Sequence, residues 1–218
     1  MSIHWYQYFQ ILSLLTAIVC YKGLRHFSIT LFVPLLIVTN IIETLGYNHE
    51  ALGWKDNYFL YSIYTLLATP LYLGLFRTML FLSKEEVKAF KAASVLSMLF
   101  MLVNYFFIEG MDQFNSYSAI LLEILSIFFS CIVLVRLAIR QEREMSLYND
   151  PYFWINACIF LFGLIVLALL GLQKYIILNS LSIGNRSLYN AILPTANAML
   201  YLGYSYAFVL CRIQVRRL

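Results

Sequence analysis

Charged residues are scarce in this sequence. Only 12% of its 218 residues are Asp, Glu, Lys or Arg, whereas 62% are hydrophobic. Soluble domains have about 25% charged and about 45–50% apolar residues, so a water-soluble protein is excluded. The length suits about seven helical spans of roughly 20 residues with short connections. We therefore expect a single transmembrane domain over residues 1–218 and no soluble domain.

The sequence also lacks the residue patterns of common catalytic and cofactor sites. It contains no GxSxG, HExxH or phosphate-binding loop, and its last apolar run has no lysine that could bind retinal. The three histidines, His4, His26 and His49, fall at the edges of apolar runs on both sides of the predicted membrane, so they cannot form one metal site. We expect no metal and no cofactor, and an enzyme is not the favoured class.

The four cysteines lack the spacing of a metal site or a disulfide framework. Cys20, Cys131, Cys158 and Cys211 stand singly within apolar runs and not in outward loops, where an oxidising compartment could join them. We interpret all four as small buried hydrophobic residues.

Seven apolar runs have the length of membrane spans. The first has no basic segment before it and no small-residue cleavage site after it, unlike a signal peptide. The inner end of the fourth is the hardest to place, because the charged segment 83–91 precedes it. The expected fold class is an all-α polytopic bundle of seven transmembrane helices. Its spans are 5–21, 29–47, 58–82, 92–108, 117–139, 152–172 and 191–211.

Basic residues alternate with the predicted spans. Twelve of the fifteen lysines and arginines fall on one side of the membrane. Since basic loops are retained in the cytoplasm, we predict that the N-terminus lies outside and the C-terminus inside. This placement also explains the net charge of +4 without a nucleic-acid partner. The inner residues are Lys22, Arg25, Arg77, Lys84, Lys88, Lys91, Arg136, Arg140, Arg143, Arg212, Arg216 and Arg217, and the outer ones are Lys55, Lys174 and Arg186.

Polar residues within the apolar spans concentrate in the predicted outer half of the bundle. A carboxyl group in hydrocarbon is costly, so such residues usually face the bundle interior or a wet cavity. Helical spacing places them on shared faces with tyrosines. We therefore predict an outward-facing polar vestibule that binds a ligand. Its candidate ligand-binding residues are Glu43, Glu123, Asn40, Asn104, Asn197, Tyr61, Tyr64 and Tyr201.

A structural role is the alternative for these polar residues. Asparagine, serine and tyrosine often join transmembrane helices by hydrogen bonds without any ligand. Pro34, Pro70 and Pro194 lie within or at the start of predicted spans, where each can kink its helix and open a cavity. Both interpretations stay open at the level of sequence.

One segment resembles a known family. Tyr148-Asn-Asp-Pro-Tyr-Phe-Trp-Ile155 enters the sixth span and is followed by a polar-aromatic seventh span. Over the last third of the chain this resembles the seven-helix membrane modules found with bacterial sensor histidine kinases. The resemblance implies a location in the bacterial cytoplasmic (inner) membrane and a signal passed to a cytoplasmic effector. Because the sequence ends at Leu218, directly after the last span, we expect the effector to be a separate protein, and no catalytic residue is carried over.

Several functions are compatible with these features. The first hypothesis is a receptor-like or accessory module that contacts a membrane or cytoplasmic partner through its basic inner loops. Arg140, Glu142, Arg143 and Glu144 could continue the fifth span as a charged helix, although lipid headgroups are an equal partner for it. The alternatives are a small-solute or ion transporter with intramembrane carboxyl groups, or a structural subunit of a membrane complex. All of them share the lipid bilayer as a partner.

Overall fold

The computed structural model describes residues 3–110, 113–140, 147–180, 182–183 and 186–217. Apart from turns, the described chain is helical, with one short antiparallel pair formed by β1 (Ser182–Ile183) and β2 (Arg186–Ser187). The all-α prediction is confirmed. The helices are α1 (Gln7–Val19), α2 (Tyr21–His26), α3 (Phe32–Tyr47), α4 (Tyr58–Met79), α5 (Lys84–Val103), α6 (Ser116–Arg140), α7 (Pro151–Gly171), α8 (Gln173–Leu178) and α9 (Leu188–Arg217). A π-helical turn, Asn104–Ile108, extends α5.

Five helices in the described part are long and apolar enough to cross a membrane. They are α4, α5 with its π-helical turn, α6, α7 and α9, as in an integral membrane protein. The helices of the first two predicted spans, α1 and α3, are apolar but shorter, with 13 and 16 residues. At about 1.5 Å per residue they measure about 20 and 24 Å, less than the hydrocarbon thickness of about 30 Å.

The helix of the fourth predicted span begins at Lys84 and not at residue 92. Ser83 caps it, because its hydroxyl accepts from the Glu86 N–H at 3.4 Å while the Glu86 carboxylate accepts from the Ser83 N–H at 2.8 Å. This reciprocal pair forms a capping box, which satisfies backbone donors that a helix start leaves free. Hydropathy misses the start because the first turns of the helix are charged.

Pro34, Pro70 and Pro194, three of the four prolines, differ in their effect. Pro34 lies in the first turn of α3, where a missing N–H removes no helical hydrogen bond, so it does not act as the expected kink. Pro70 and Pro194 lie inside α4 and α9, and both helices continue through them.

The prediction that all four cysteines are buried is wrong for Cys131. Its side chain is exposed on the outer face of α6, whereas Cys20 and Cys211 are buried and Cys158 is partly buried. An apolar run shows that a residue lies in the span but not which side of the helix it occupies. All four are free thiols.

Six helices form a closed ring. α1 packs between α3 and α9, α4 joins α3 to α6, and α7 joins α6 to α9. α5 packs outside this ring against α4 and α6. Only Phe90, Ser97 and Met101 are buried along α5, so most of its apolar side chains are available for contact with lipid. The ring therefore has an interior of its own.

The connections that carry most basic residues meet at one end of the ring. We call this the basic end; it comprises α2, the turn between α4 and α5, the C-terminal parts of α6 and α9, and the start of α7. The Tyr152 hydroxyl donates to the Phe27 carbonyl at 2.6 Å. Arg136 donates to the Leu80 carbonyl and pairs with Glu86. These contacts join the end of α2 to the start of α7, and the turn between α4 and α5 to the C-terminal part of α6.

Aromatic side chains fill the interior toward the basic end. The Phe32 ring lies 4.9 Å from Tyr204 and 5.3 Å from Phe208, measured between ring centroids. Phe76 lies 5.5 Å from Phe129 in the same measure, and all five side chains are buried. We call these five residues the aromatic plug. Close packing of this kind joins helices in a bilayer, where lipid is as apolar as the side chains.

Gly23 generates a prediction about helix packing. A Cβ at Gly23 would lie 2.9 Å from the backbone nitrogen of Arg212 and the carbonyl carbon of Cys211. Gly23→Ala should therefore force α2 from α9 and lower the free energy of unfolding by about 1–3 kcal/mol, measured in detergent. The control is Gly171→Ala, since a Cβ there meets nothing within 4 Å. Equal unfolding free energies of the two variants would contradict this close approach.

Candidate functional site

A glutamate joins three helices near the end of the ring opposite the basic end. The Tyr6 hydroxyl, just before α1, donates to the Glu43 carboxyl group of α3 at 2.7 Å. Tyr61 of α4 is close enough to interact with the same carboxyl group. Gly46, one turn after Glu43, makes room for the Tyr61 side chain, because a Cβ at Gly46 would lie 3.1 Å from the Tyr61 hydroxyl oxygen. Side chains from α1, α3 and α4 thus converge on one carboxyl group.

More tyrosines surround this carboxyl group. Tyr64 of α4 and Tyr189 and Tyr201 of α9 all lie within electrostatic range of Glu43. Tyr201 is buried, with 5% of its surface exposed. Four of the predicted ligand-binding residues, Glu43, Tyr61, Tyr64 and Tyr201, are therefore neighbours in the structure. We call Glu43, Tyr6, Tyr61, Tyr64 and Tyr201 the tyrosine cluster.

Helix α1 turns a polar face toward this cluster. Gln7, Gln10 and Ser13 follow at three-residue spacing, and they are 2%, 0% and 0% exposed. α1 packs against α3 and α9, and Gln10 lies close to the Tyr201 phenol. We call these three residues the α1 polar face.

Several atoms of the α1 polar face have no hydrogen-bond partner among the described residues. They are Nε2 of Gln7, Nε2 and Oε1 of Gln10, and Oγ of Ser13. The other polar atom of the Gln7 amide is bonded, since Oε1 accepts from the His4 backbone N–H at 2.7 Å. A buried polar atom without a partner costs about 1–3 kcal/mol, and such atoms are rare in proteins. The atoms are suited to bind a polar group that enters the interior.

The second predicted carboxyl group, Glu123, lies on α6 and faces α7. Its Oε2 would be 3.2 Å from a Cβ placed on Gly163. Glu123 interacts electrostatically with both Tyr64 and Tyr72 of α4. Tyr64 also interacts electrostatically with Glu43, so it is within range of both carboxyl groups. In the described chain neither glutamate forms an ion pair with a basic side chain.

Asn104 belongs to a different set of contacts. Its Nδ2 donates to Glu109 at 2.7 Å, to Asn115 at 3.0 Å and to Ser118 at 2.9 Å. Asn115 in turn donates to Ser62 of α4 at 2.8 Å. This network fastens the π-helical end of α5 to α4 and α6. No hydrogen bond between described residues joins it to Glu43.

Asn40 and Asn197 share helices with members of the tyrosine cluster. The Asn40 amide donates to the Leu36 carbonyl of its own helix at 2.7 Å. Asn197 is buried in α9, one turn before Tyr201. Ligand contact by either residue stays a prediction.

Sequence reasoning missed Tyr6 and the α1 polar face. Tyr6 stands at a span end, a position typical of an interfacial anchor, so nothing in the sequence sets it apart. The α1 polar face did leave a signal, because residues 7, 10 and 13 are polar at helical spacing inside an apolar run. Glutamine and serine are neutral, so unlike a glutamate they do not mark a buried charge in an apolar run.

Comparison with models of known protein families, with curated proteins and with solved structures finds no match. Within the described ranges, no three His, Cys, Asp or Glu side chains are grouped in a way that could hold a metal ion. The site is therefore interpreted from its own geometry.

The Tyr6–Glu43 contact predicts an energetic coupling. Tyr6→Phe keeps the ring but removes the donor, so the free energy of unfolding should fall by about 1–2 kcal/mol. Combined with Glu43→Gln in a double-mutant cycle, it should show a coupling of about 0.5 kcal/mol or more. Tyr8→Phe is the control, because that side chain is 61% exposed. Additive effects of Tyr6→Phe and Glu43→Gln would argue against the hydrogen bond.

Proposed function

We propose that this protein is a receptor-like or accessory module of the membrane that binds a small polar ligand in the tyrosine cluster. The observation that carries this proposal is the set of buried, unpartnered atoms on the α1 polar face. A purely structural bundle would gain stability from apolar side chains at these positions, because they have no polar group to desolvate. A ligand, with or without bridging water, would supply the missing partners.

The proposal includes seven spans, with the N-terminus outside and the C-terminus in the cytoplasm. Two observations support it: α1 and α3 complete the ring formed with the longer helices, and the basic connections gather at one end. Positive residues are retained inside, so the basic end is cytoplasmic and the tyrosine cluster lies in the outer half. Short spans are accommodated by local thinning of the bilayer. The bacterial cytoplasmic (inner) membrane is the location implied by the resemblance of segment 148–155.

The basic end is the proposed contact surface for a separate membrane or cytoplasmic partner. Lys22, Arg25, Lys84 and Lys88 are exposed there. Helices α1 and α9 run from the tyrosine cluster toward this end, so a ligand that shifts either helix would also shift the basic end. The predicted charged continuation of α6, with Glu142, Arg143 and Glu144, lies outside the described residues. Anionic lipid headgroups are a further partner for the same charges.

A small-solute or ion transporter is the second candidate. Glu123 favours it, because it is a second carboxyl group in the ring and Tyr64 interacts electrostatically with both carboxyl groups. These polar side chains would form the path of the solute. The aromatic plug argues against it, since all five of its side chains are buried between this path and the basic end. Transport would require the plug to open. A structural subunit, the third alternative, requires no access from water to the interior.

Access from water separates a binding site from a scaffold. Gln10→Cys should react with the impermeant reagent 2-(trimethylammonium)ethyl methanethiosulfonate added outside intact cells, since a hydrated thiol ionises and one in lipid does not. The control is Leu12→Cys, because the Leu12 side chain is 45% exposed on the outer face of α1 at a depth similar to that of Gln10. A cysteine at this position should react at least about tenfold more slowly. Peptide mass spectrometry measures the labelling of each cysteine separately, so the four native cysteines need not be replaced.

Two outcomes of this experiment would count against the proposal. If Gln10→Cys stays unreactive while Ala51→Cys in the connection between α3 and α4 reacts, the interior is closed and the scaffold interpretation holds. If Gln10→Cys and Ala51→Cys react only after the cells are permeabilised, the proposed orientation is reversed.

A further inference from the structure

We propose that the tyrosine cluster selects a small protonated amine that also carries a hydrogen-bond acceptor. The inference rests on the proposed function, because it names the ligand class of the same site. It draws on three features: a carboxyl group without a basic partner, unpaired acceptors on α1, the helix that Tyr6 links to that carboxyl group, and an unpaired donor on the same helix face.

The first feature is the charge of the cluster. Glu43 contacts tyrosine hydroxyls, and in the described chain it forms no ion pair with lysine or arginine. Glu123 likewise forms none there, and Tyr64 interacts electrostatically with both glutamates. Coulomb attraction is several times stronger in such an interior than in water. A cationic ligand would supply the counter-charge that both carboxyl groups lack and would favour their ionised forms, whereas an anionic ligand would not.

The second feature is the set of acceptors. An ammonium group has three N–H donors and no acceptor. The Glu43 carboxyl group, Gln10 Oε1 and Ser13 Oγ are the acceptors available to it, and the last two have no partner among the described residues. The surrounding phenol rings add attraction for a cation wherever it lies over a ring face.

The third feature distinguishes an amine from a metal ion. Nε2 of Gln7 is a buried donor that lacks an acceptor in the described chain, and the Gln10 amide has only the Tyr201 phenol close by. A bare metal cation would bind the oxygen atoms only, and the buried Gln7 amide donor would stay unpaired at its full desolvation cost. A ligand oxygen close to the ammonium group, as in an amino alcohol, would accept from these amides. The donor and acceptor set thus fits an amine with a neighbouring oxygen.

Charge-matched thiol reagents test this assignment. Ser13→Cys is nearly isosteric and keeps both glutamines and Glu43. Purified full-length protein with this substitution is treated with 2-aminoethyl or 2-sulfonatoethyl methanethiosulfonate, which are similar in size and opposite in charge. The quantity compared is the labelling rate with the aminoethyl reagent divided by the rate with the sulfonatoethyl reagent. This ratio at residue 13 should exceed the ratio at exposed Ala51→Cys by about tenfold or more. Glu43→Gln should bring the two ratios within about twofold, whereas Glu50→Gln, an exposed glutamate in the same connection as Ala51, should leave the difference unchanged.

A competition experiment between a free amine and the labelling reagent completes the test. It uses protein with an intact Glu43, so it is valid even if the Glu43→Gln variant does not fold. Ethanolamine should slow labelling of Ser13→Cys by the aminoethyl reagent, and ethylene glycol, which lacks the charge, should not. Equal slowing by sodium ions would assign the site to a metal cation and overturn the amine assignment. A ratio no different from that at Ala51→Cys would overturn cation selection, as would failure of both reagents to reach residue 13. The proposed function would still stand in those cases if Gln10→Cys reacts from outside the cell.

Discussion

The hydrogen bond from Tyr6 to Glu43 joins α1 and α3, the two shortest helices of the ring. Apolar packing alone positions such helices weakly in a bilayer, because lipid is as apolar as their side chains. A hydrogen bond to a partly buried carboxyl group is directional, and leaving that group without a partner in hydrocarbon would be costly. The bond therefore fixes how α1 meets α3, and with it which face of α1 is turned inward.

The interior of the ring changes character along its length. Toward the basic end the aromatic plug fills it with buried rings, and Ser130 Oγ and Asn156 Oδ1 are unpartnered there; at the other end four such atoms lie on one face of α1, without partners among the described residues. The first region resembles an ordinary packed core. The second carries a desolvation cost that packing does not repay, and selection for stability alone would remove it. This contrast is why the polar end, and not the bundle as a whole, is interpreted as functional.

Much of the fold could be predicted from the sequence, because hydropathy reports which residues lie in helices. The seven predicted spans correspond to α1, α3, α4, α5, α6, α7 and α9, with the start of α5 displaced by the Ser83 capping box. Hydropathy does not report which helices pack together or which polar side chains contact one another. Asn104 has the same character in the sequence as Glu43, yet it bonds to Asn115 and Ser118. Gln10 became conspicuous only once α1 was seen to pack between α3 and α9.

The central claim is that the interior keeps polar atoms that folding alone does not require, and the unfolding free energy of Gln10→Met tests it most directly. Methionine nearly matches glutamine in volume and has no amide to desolvate. In dialysed, ligand-free protein this substitution should raise the free energy of unfolding by about 1–3 kcal/mol. A loss of similar size would mean that the Gln10 amide is fully paired in the folded protein, and it would contradict the account.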